Sequence, residues 1–323
     1  MYDVVTVGSA TLDVFVYTEL AEIKRKSEKL IAYPAGSKIL IKKLEFMTGG
    51  GGTNTAVAFS RLGLKTAYLG KLGNDYSGKK VIEELRREGV DFIGVKGEED
   101  FTAYSVILDS KEHDRTILTY KGITNHLKFE EINKRKIKTK WFHFTSLMGP
   151  SFLTQKKLAR YAEENGIKLS YNPSEYQIKR KDISYLLKRT NVLVFNKREA
   201  ELLTGESEVE EQMKKIFGMG PEIVCITDGP NADYASDGKF FYYLKPHKIK
   251  IKERTGAGDA FASGFLAGLI KKRNIEFAMK LGLANAESVV MYHGAKNKLL
   301  TFREALKIMK TKPVKVRKVK LNG

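Results

Sequence analysis

Cysteine is almost missing from the sequence: its 323 residues hold one, Cys225, inside the apolar run EIVCIT. One cysteine cannot close an internal disulfide, so this residue reads as core and a reducing cytoplasm is the matching expectation. Long apolar runs are missing too. The longest, such as AFASGFLAGLI, fall short of the roughly 18 to 20 residues that a membrane span needs. The opening MYDVVTVGSA has no basic stretch ahead of its apolar residues, so no signal peptide is expected. Internal repeats and low-complexity segments are lacking, and a hydrophobic content of 42% is ample for a full core. Acids are outnumbered: Asp and Glu total 38 against 57 Lys and Arg, a net charge of +19. That excess favours anionic partners. It is spread along the chain, with a local surplus in KTKPVKVRKVKLNG, whereas a nucleic-acid surface needs clustering on one face.

What is present is an alternation. YDVVTVGSA reads as a buried first strand. GGTNTAVAFSRLG turns helical and ends at Gly63, KTAYLGKLG reads as a strand, and SGKKVIEELRREGV as an amphipathic helix. KWFHFTS, IKLSYN, NVLVFN and EIVCITDG are further strands, with helices between them, and Gly256 to Lys310 is almost all helix. Such alternation predicts a mostly parallel sheet with helices on both faces. Strands near 14–46 and 101–120 break the pattern and read as a small β lid.

In open sheets of this kind, ligands sit beyond the carboxyl ends of the strands, so the strand-to-helix junctions are where chemistry is expected. GSATLD places Asp13 after the first strand, either as a turn residue or as an acceptor for sugar hydroxyls. TGGGGTN, Thr48 to Asn54, spends four glycines at a helix start, a cost that close backbone approach to a ligand would repay. It is no dinucleotide fingerprint, because Asn54 stands where the third glycine belongs. GNDYSGKK misses a phosphate-binding loop by one residue, since Lys80 replaces the hydroxyl that would hold Mg²⁺, and reads as a capped helix start. NKRE puts Asn196 and Glu199 three apart at a helix start, where they suit either a capping box or the organisation of a phosphate and Mg²⁺. TDG, Thr227 to Gly229, is an ordinary strand-end turn.

RTGAGDAFASGF carries more than a cap requires. The amides of Gly256, Ala257 and Gly258 at a helix start form an anion nest, with the carboxylate of Asp259 directly behind. Transfer of phosphate to an alcohol needs this pairing: one group takes the hydroxyl proton while the other holds developing charge.

Together GGGGTN, NKRE and TGAGDAF, in this order, resemble the ribokinase (phosphofructokinase-B) family of carbohydrate kinases over the chain to about residue 310. The resemblance implies a three-layer, doubly wound α/β fold with the small lid, residues 311–323 being left as a basic tail. It implies an ATP- and Mg²⁺-dependent kinase acting on a primary alcohol of a furanose sugar or related polyol. By position, Asp259 is the expected base and Gly256, Ala257 and Gly258 its anion hole. Asp13, Gly50, Gly51 and Asn54 are the expected substrate ligands. Asn196 and Glu199 are expected to organise phosphate and Mg²⁺, with Glu199 reaching the metal through water. Thr227 and Gly229 are expected to touch the nucleotide, and Asn285 to lie near adenine. A homodimer through the lid also follows from the resemblance.

The sequence departs from the family pattern. Gly51 stands where its sugar kinases often carry Lys, WFHFTSLMG lacks the acid that ribokinases proper place for the sugar, and Glu253 stands where an Asp is common in enzymes activated by monovalent cations. These departures count against ribose specificity and potassium activation, with a monovalent cation kept as an open cofactor. A nucleoside kinase is the alternative inside the family, with Phe15, Tyr17, Tyr33 and Phe46 as stacking candidates. A sugar-phosphate kinase is another, with Lys38, Lys42 and Arg115 as candidate contacts. A nucleic-acid-binding protein would account for the charge but not for the glycines, Asn196, Glu199 or Asp259.

Overall fold

The computed structural model describes residues 1–18, 22–25, 28–109, 115–179 and 183–321. Residues 19–21, 26–27 and 110–114 of the expected lid lie outside these. The main sheet runs, edge to edge, Val316–Lys320, Phe240–Leu244, Asp233–Ser236, Ile223–Thr227, Val192–Asn196, Lys168–Asn172, Thr139–Thr145, Tyr2–Val7, Thr66–Leu69, Asp91–Phe92. From Ile223–Thr227 to Asp91–Phe92 all neighbours are parallel. Successive side chains of a strand point to opposite faces, and here both faces are apolar. Leu193, Phe195, Val224 and Ile226 join one core; Val192, Val194 and Cys225 join the other. Helices Gly149–Glu164, Lys197–Thr204 and Val209–Phe217 cover the first face. Helices Gly51–Arg61, Ala257–Lys272, Ile275–Val290 and Phe302–Thr311 cover the second, giving three layers. Among the described residues, no helix is long and apolar enough to cross a membrane.

The strands that break the alternation form their own sheet, in the order Arg115–Tyr120, Ala103–Asp109, Thr11–Tyr17, Lys43–Gly49. Asp13 lies opposite Met47 on one face, and its neighbours Leu12 and Val14 take the other.

Three sequence expectations need correction. KTAYLGKLG is two strands: Thr66–Leu69 lies in the main sheet, whereas Lys71–Gly73 pairs with Val95–Gly97. The turn is at Gly70, where an added Cβ would meet the Tyr68 hydroxyl. In SKILIKKLEFM, part of the stretch near 14–46 expected to form strands, the strand begins only at Lys43, and Leu40 ahead of it is exposed. The expected basic tail is drawn into the main sheet, since Val316–Lys320 pairs with Phe240–Leu244. Val314 and Val316 pack on the helix-rich core and Lys318 Nζ sits 3.9 Å from the Phe240 ring centre, so the segment covers what would be an open edge. Asp233–Ser236 and Phe240–Leu244, antiparallel beside it, carry no sequence signal that the alternation reveals.

Candidate active site

The parallel strands end on one side of the sheet, and their following residues wall a cavity of about 310 Å³. Ser9 follows Tyr2–Val7, Thr145 and Ser146 close Thr139–Thr145, and Asn172 and Asn196 close their own strands. Helix Gly51–Arg61 brings Gly51, and helix Ala257–Lys272 brings Gly258 and Asp259.

Asp259 takes a hydrogen bond from Asn54 Nδ2 at 2.8 Å, joining residues 205 positions apart. Burial pushes its carboxyl above the ordinary range, while the Asn54 bond and the Lys296 charge pull the other way. Asp13, on the small sheet, accepts from Thr11 Oγ1 at 3.0 Å, and burial raises its carboxyl as well. Lys296 acts on both acids. It is buried and donates to Thr48 Oγ1 at 2.7 Å and to Glu84 at 2.5 Å. Asn54 Oδ1 and Thr145 Oγ1 are among the buried polar atoms left unpaired among the described residues. Thr145 lines the cavity.

The glycines are explained largely by the protein's own backbone. Gly50 has φ 93°, and a Cβ there would lie 2.5 Å from the Ser9 carbonyl oxygen. Gly51 faces the site: its Cβ would stand 2.9 Å from Thr145 Oγ1 and 3.3 Å from Asp259 Oδ1. The first strand's loop and the helix start are therefore pressed together, and only Gly51 of Gly50–Gly52 opens on the cavity.

The helix Ala257–Lys272 begins at Gly256 with φ 80°. Its first amides have no intrahelical acceptors and lie at the positive end of the helix dipole. Ala257 is already engaged, donating to Arg254 O at 3.2 Å, so of the three expected donors Gly256 and Gly258 face the cavity. Asn196 and Glu199 do form the capping box: Asn196 Oδ1 accepts from the Glu199 amide at 2.8 Å and Glu199 Oε2 from the Asn196 amide at 2.9 Å. Both also line the cavity. Burial raises the Glu199 carboxyl. The near-miss at Gly73 is a helix start, with Asp75 accepting from the Gly78 amide.

A second cavity, about 380 Å³, opens on the far side of Thr227 and Gly258, which border both. Its walls are mostly apolar and include Gly229, Pro230, Ile251, Phe261, Leu283 and Val290. Asn285 is not among them. It is fully buried, donating to Ala260 O at 2.9 Å and accepting from the Leu300 amide at 3.0 Å, so it ties the two long helices to the following loop. Glu253 is likewise occupied, accepting from the Gly294 amide at 3.0 Å. Sequence reasoning missed Thr145, Ser146, Asn172 and Ser174, although their place at strand ends was a usable signal. It also missed most of the second cavity.

Lys38 and Lys42 lie outside both cavities, in the segment before Lys43–Gly49, and the Arg115 side chain lies outside the description. Phe46 adjoins Met47 and so takes the sheet face opposite Asp13, where it is exposed. Phe15 is buried.

A family model for pfkB family carbohydrate kinases matches residues 2–301. An uncharacterized sugar kinase of Archaeoglobus fulgidus is 30% identical over 75% of this chain and 98% of its own length. The ribokinase of Haemophilus influenzae is 27% identical over 85% of this chain and 91% of its own. A ribokinase structure from Thermotoga maritima, 21% identical, superposes with a TM-score of 0.81 over 96% of this chain and all of that one. The fold is ribokinase-like, and the chain belongs to the pfkB family of carbohydrate kinases.

Proposed function

We propose that this sugar kinase transfers the γ-phosphate of ATP to a primary hydroxyl of a furanose sugar or related small polyol, with Asp259 as the base. The observation that carries the reading is the place of Asp259, on the wall of the polar cavity and one residue from the junction with the apolar one. An acceptor hydroxyl beside Asp259 would lie next to the helix amides that meet the transferred group. Asn54 orients the carboxylate through Nδ2 and keeps Oδ1 for the substrate. Gly256 and Gly258 offer amides to developing charge, and Thr145 adds an unpaired hydroxyl. Asp13 and Gly51 shape the acceptor end, and Gly50 sets the tight turn that brings Gly51 there. Thr227 and Gly229 border the donor's path.

Mg²⁺ fits this cavity. Among the described residues no cluster of three or more His, Cys, Asp or Glu could cage a metal. Mg²⁺ retains several waters and needs only one or two carboxylates beside substrate phosphates. Glu199, steadied by Asn196, supplies that carboxylate through water, and the ion when bound would neutralise charge on the phosphates.

Phe15 and Tyr17 share the Asp13 face, but the nucleoside alternative loses one stacking candidate, because Phe46 turns away from Asp13. The same outward face of the small sheet also carries Leu44, Leu118 and Tyr120, all exposed. A second copy of this chain is the occupant we assign to it, with the small sheet closing as a lid over the acceptor. The buried state of the lone Cys225 suits a reducing cytoplasm. A screen of sugars, sugar phosphates and nucleosides for ADP release tests the reading: a furanose or polyol should be phosphorylated by the parent and hardly by Asp259→Asn. Turnover confined to nucleosides would overturn it.

A further inference from the structure

The wall of the apolar cavity holds one buried side-chain atom without a hydrogen-bond partner among the described residues. It is Oδ2 of Asp233, a residue only 3% exposed. Its neighbour in the cavity, Glu287, is spent: one oxygen accepts from the His247 amide and the other meets His247 Nδ1, both at 2.8 Å. Buried polar groups are nearly always paired, so an exception in a cavity wall points to a ligand that completes it. The position fits. Asp233 lies directly across the strand pair from Thr227, the residue that borders both cavities. By the two-residue period of its strand it shares a face with Ala235, which packs on the core of the two long helices whose Phe261, Leu283 and Val290 wall the slot.

We propose that Asp233 reads the base of the phosphate donor, accepting from an amino group and donating to the ring nitrogen beside it, so that a 6-aminopurine is the fitting base. This rests on the kinase reading of the adjoining cavity, which makes the apolar slot the base's seat. In a slot walled by apolar side chains, a few polar groups fix orientation and confer selectivity. A neutral carboxyl presents one donor and one acceptor side by side. The proton is favoured there, since burial, with Glu287 and Asp228 nearby, pushes the carboxyl well above the ordinary range.

Calorimetric binding to the full chain tests the assignment without any acceptor sugar. The probes are ADP and the diphosphate of unsubstituted purine riboside, which differ at the 6-position. The parent should bind ADP about 10- to 100-fold more tightly, the range for leaving a buried partner unpaired. Asp233→Leu should remove that preference, and Asp233→Asn, which keeps a donor and an acceptor, should retain most of it. A parent that binds both probes alike, or a folded Asp233→Leu with the preference intact, overturns the assignment and leaves the kinase reading standing. Should Asp233→Leu fail to fold, the parent's preference and its fate in Asp233→Asn decide. A parent that binds neither probe overturns both readings together.

Discussion

Of the two cavities that meet at Thr227 and Gly258, one is walled by Gly51, Thr145, Asn172, Asn196 and Glu199, the other by Pro230, Ile251, Phe261, Leu283 and Val290. The first is built at strand ends and helix starts, where backbone amides are free and short polar side chains gather. The second is built between helix sides and a loop. The difference suits two tasks. Moving charge between a hydroxyl and a phosphate demands fixed dipoles and an acid, whereas seating a flat base demands apolar walls. Substitutions in the first cavity should therefore act on the chemical step, and those in the second on donor binding.

The strongest test of that division is Asp259→Asn. A positioned base contributes about 10²- to 10⁴-fold. We expect kcat to fall by that factor with both KM values little changed. Asp259 lies in the first turn of its helix and makes no cap hydrogen bond. A residue that served the helix dipole alone would therefore lose only about 0.3 to 1 kcal/mol of stability on the change and no activity. A folded variant with kcat within about twofold of the parent would end the base assignment.

Gly51→Val comes next. The added side chain would press on Thr145 and Asp259. A displacement of about 1 Å at a reacting group can cost about 10²-fold. The acceptor KM should rise far more than the donor KM, because the apolar slot is untouched. Equal rises in both would show that this glycine serves packing alone, and the proposed separation of the two cavities would weaken with it.

The same two cavities differ in how far the sequence discloses them. The polar one was legible in outline because its residues sit in short motifs: Asn196 and Glu199 within four residues, Gly256 to Asp259 within another four. What the motifs could not say is that Ala257 spends its amide on Arg254, or that Gly50 is glycine because Ser9 lies against it. The first is a local turn that the residue types do not announce, and the second is a packing fact between separate segments. Thr145 ends a strand like several others, and nothing local marks its hydroxyl as unpaired. The apolar slot was nearly illegible, since Asp233, Phe261 and Leu283 come from three elements and each reads as ordinary core or turn. Asn285 misled for the same reason, because a polar residue on a helix looks available until its two partners are known. In the fold, the parallel strands were read from alternation, while the antiparallel edge and the strand at Val316–Lys320 depend on pairing with neighbours.

A smaller effect separates capping from metal chemistry at the rim of the polar cavity. Glu199→Gln preserves the capping box geometry but removes the charge. Weakening a ligand that orients a metal costs about 10- to 100-fold in its affinity. Activity at low Mg²⁺ should drop within that range and recover as Mg²⁺ is raised. An active variant with an unchanged Mg²⁺ dependence would leave Glu199 with its cap alone.

The smallest expected effect concerns Lys296, which belongs to neither cavity wall and yet acts on Asp259. A base must be ionised, so kcat/KM should fall as the pH drops through the Asp259 pKa. Burial raises that pKa, and the Asn54 hydrogen bond and the Lys296 charge lower it. Neutralising Lys296 removes one lowering influence, so the acid limb should move to higher pH while the plateau at high pH stays where it was. Lys296→Met alone would leave Glu84 partly buried without its cation, a change that destabilises in its own right. The pair Glu84→Gln with Lys296→Met removes both charges and is the variant to measure, with Glu84→Gln alone as reference. A limb that stays in place in the folded double variant would show that Lys296 is a tie between Thr48 and Glu84 with no part in setting the base.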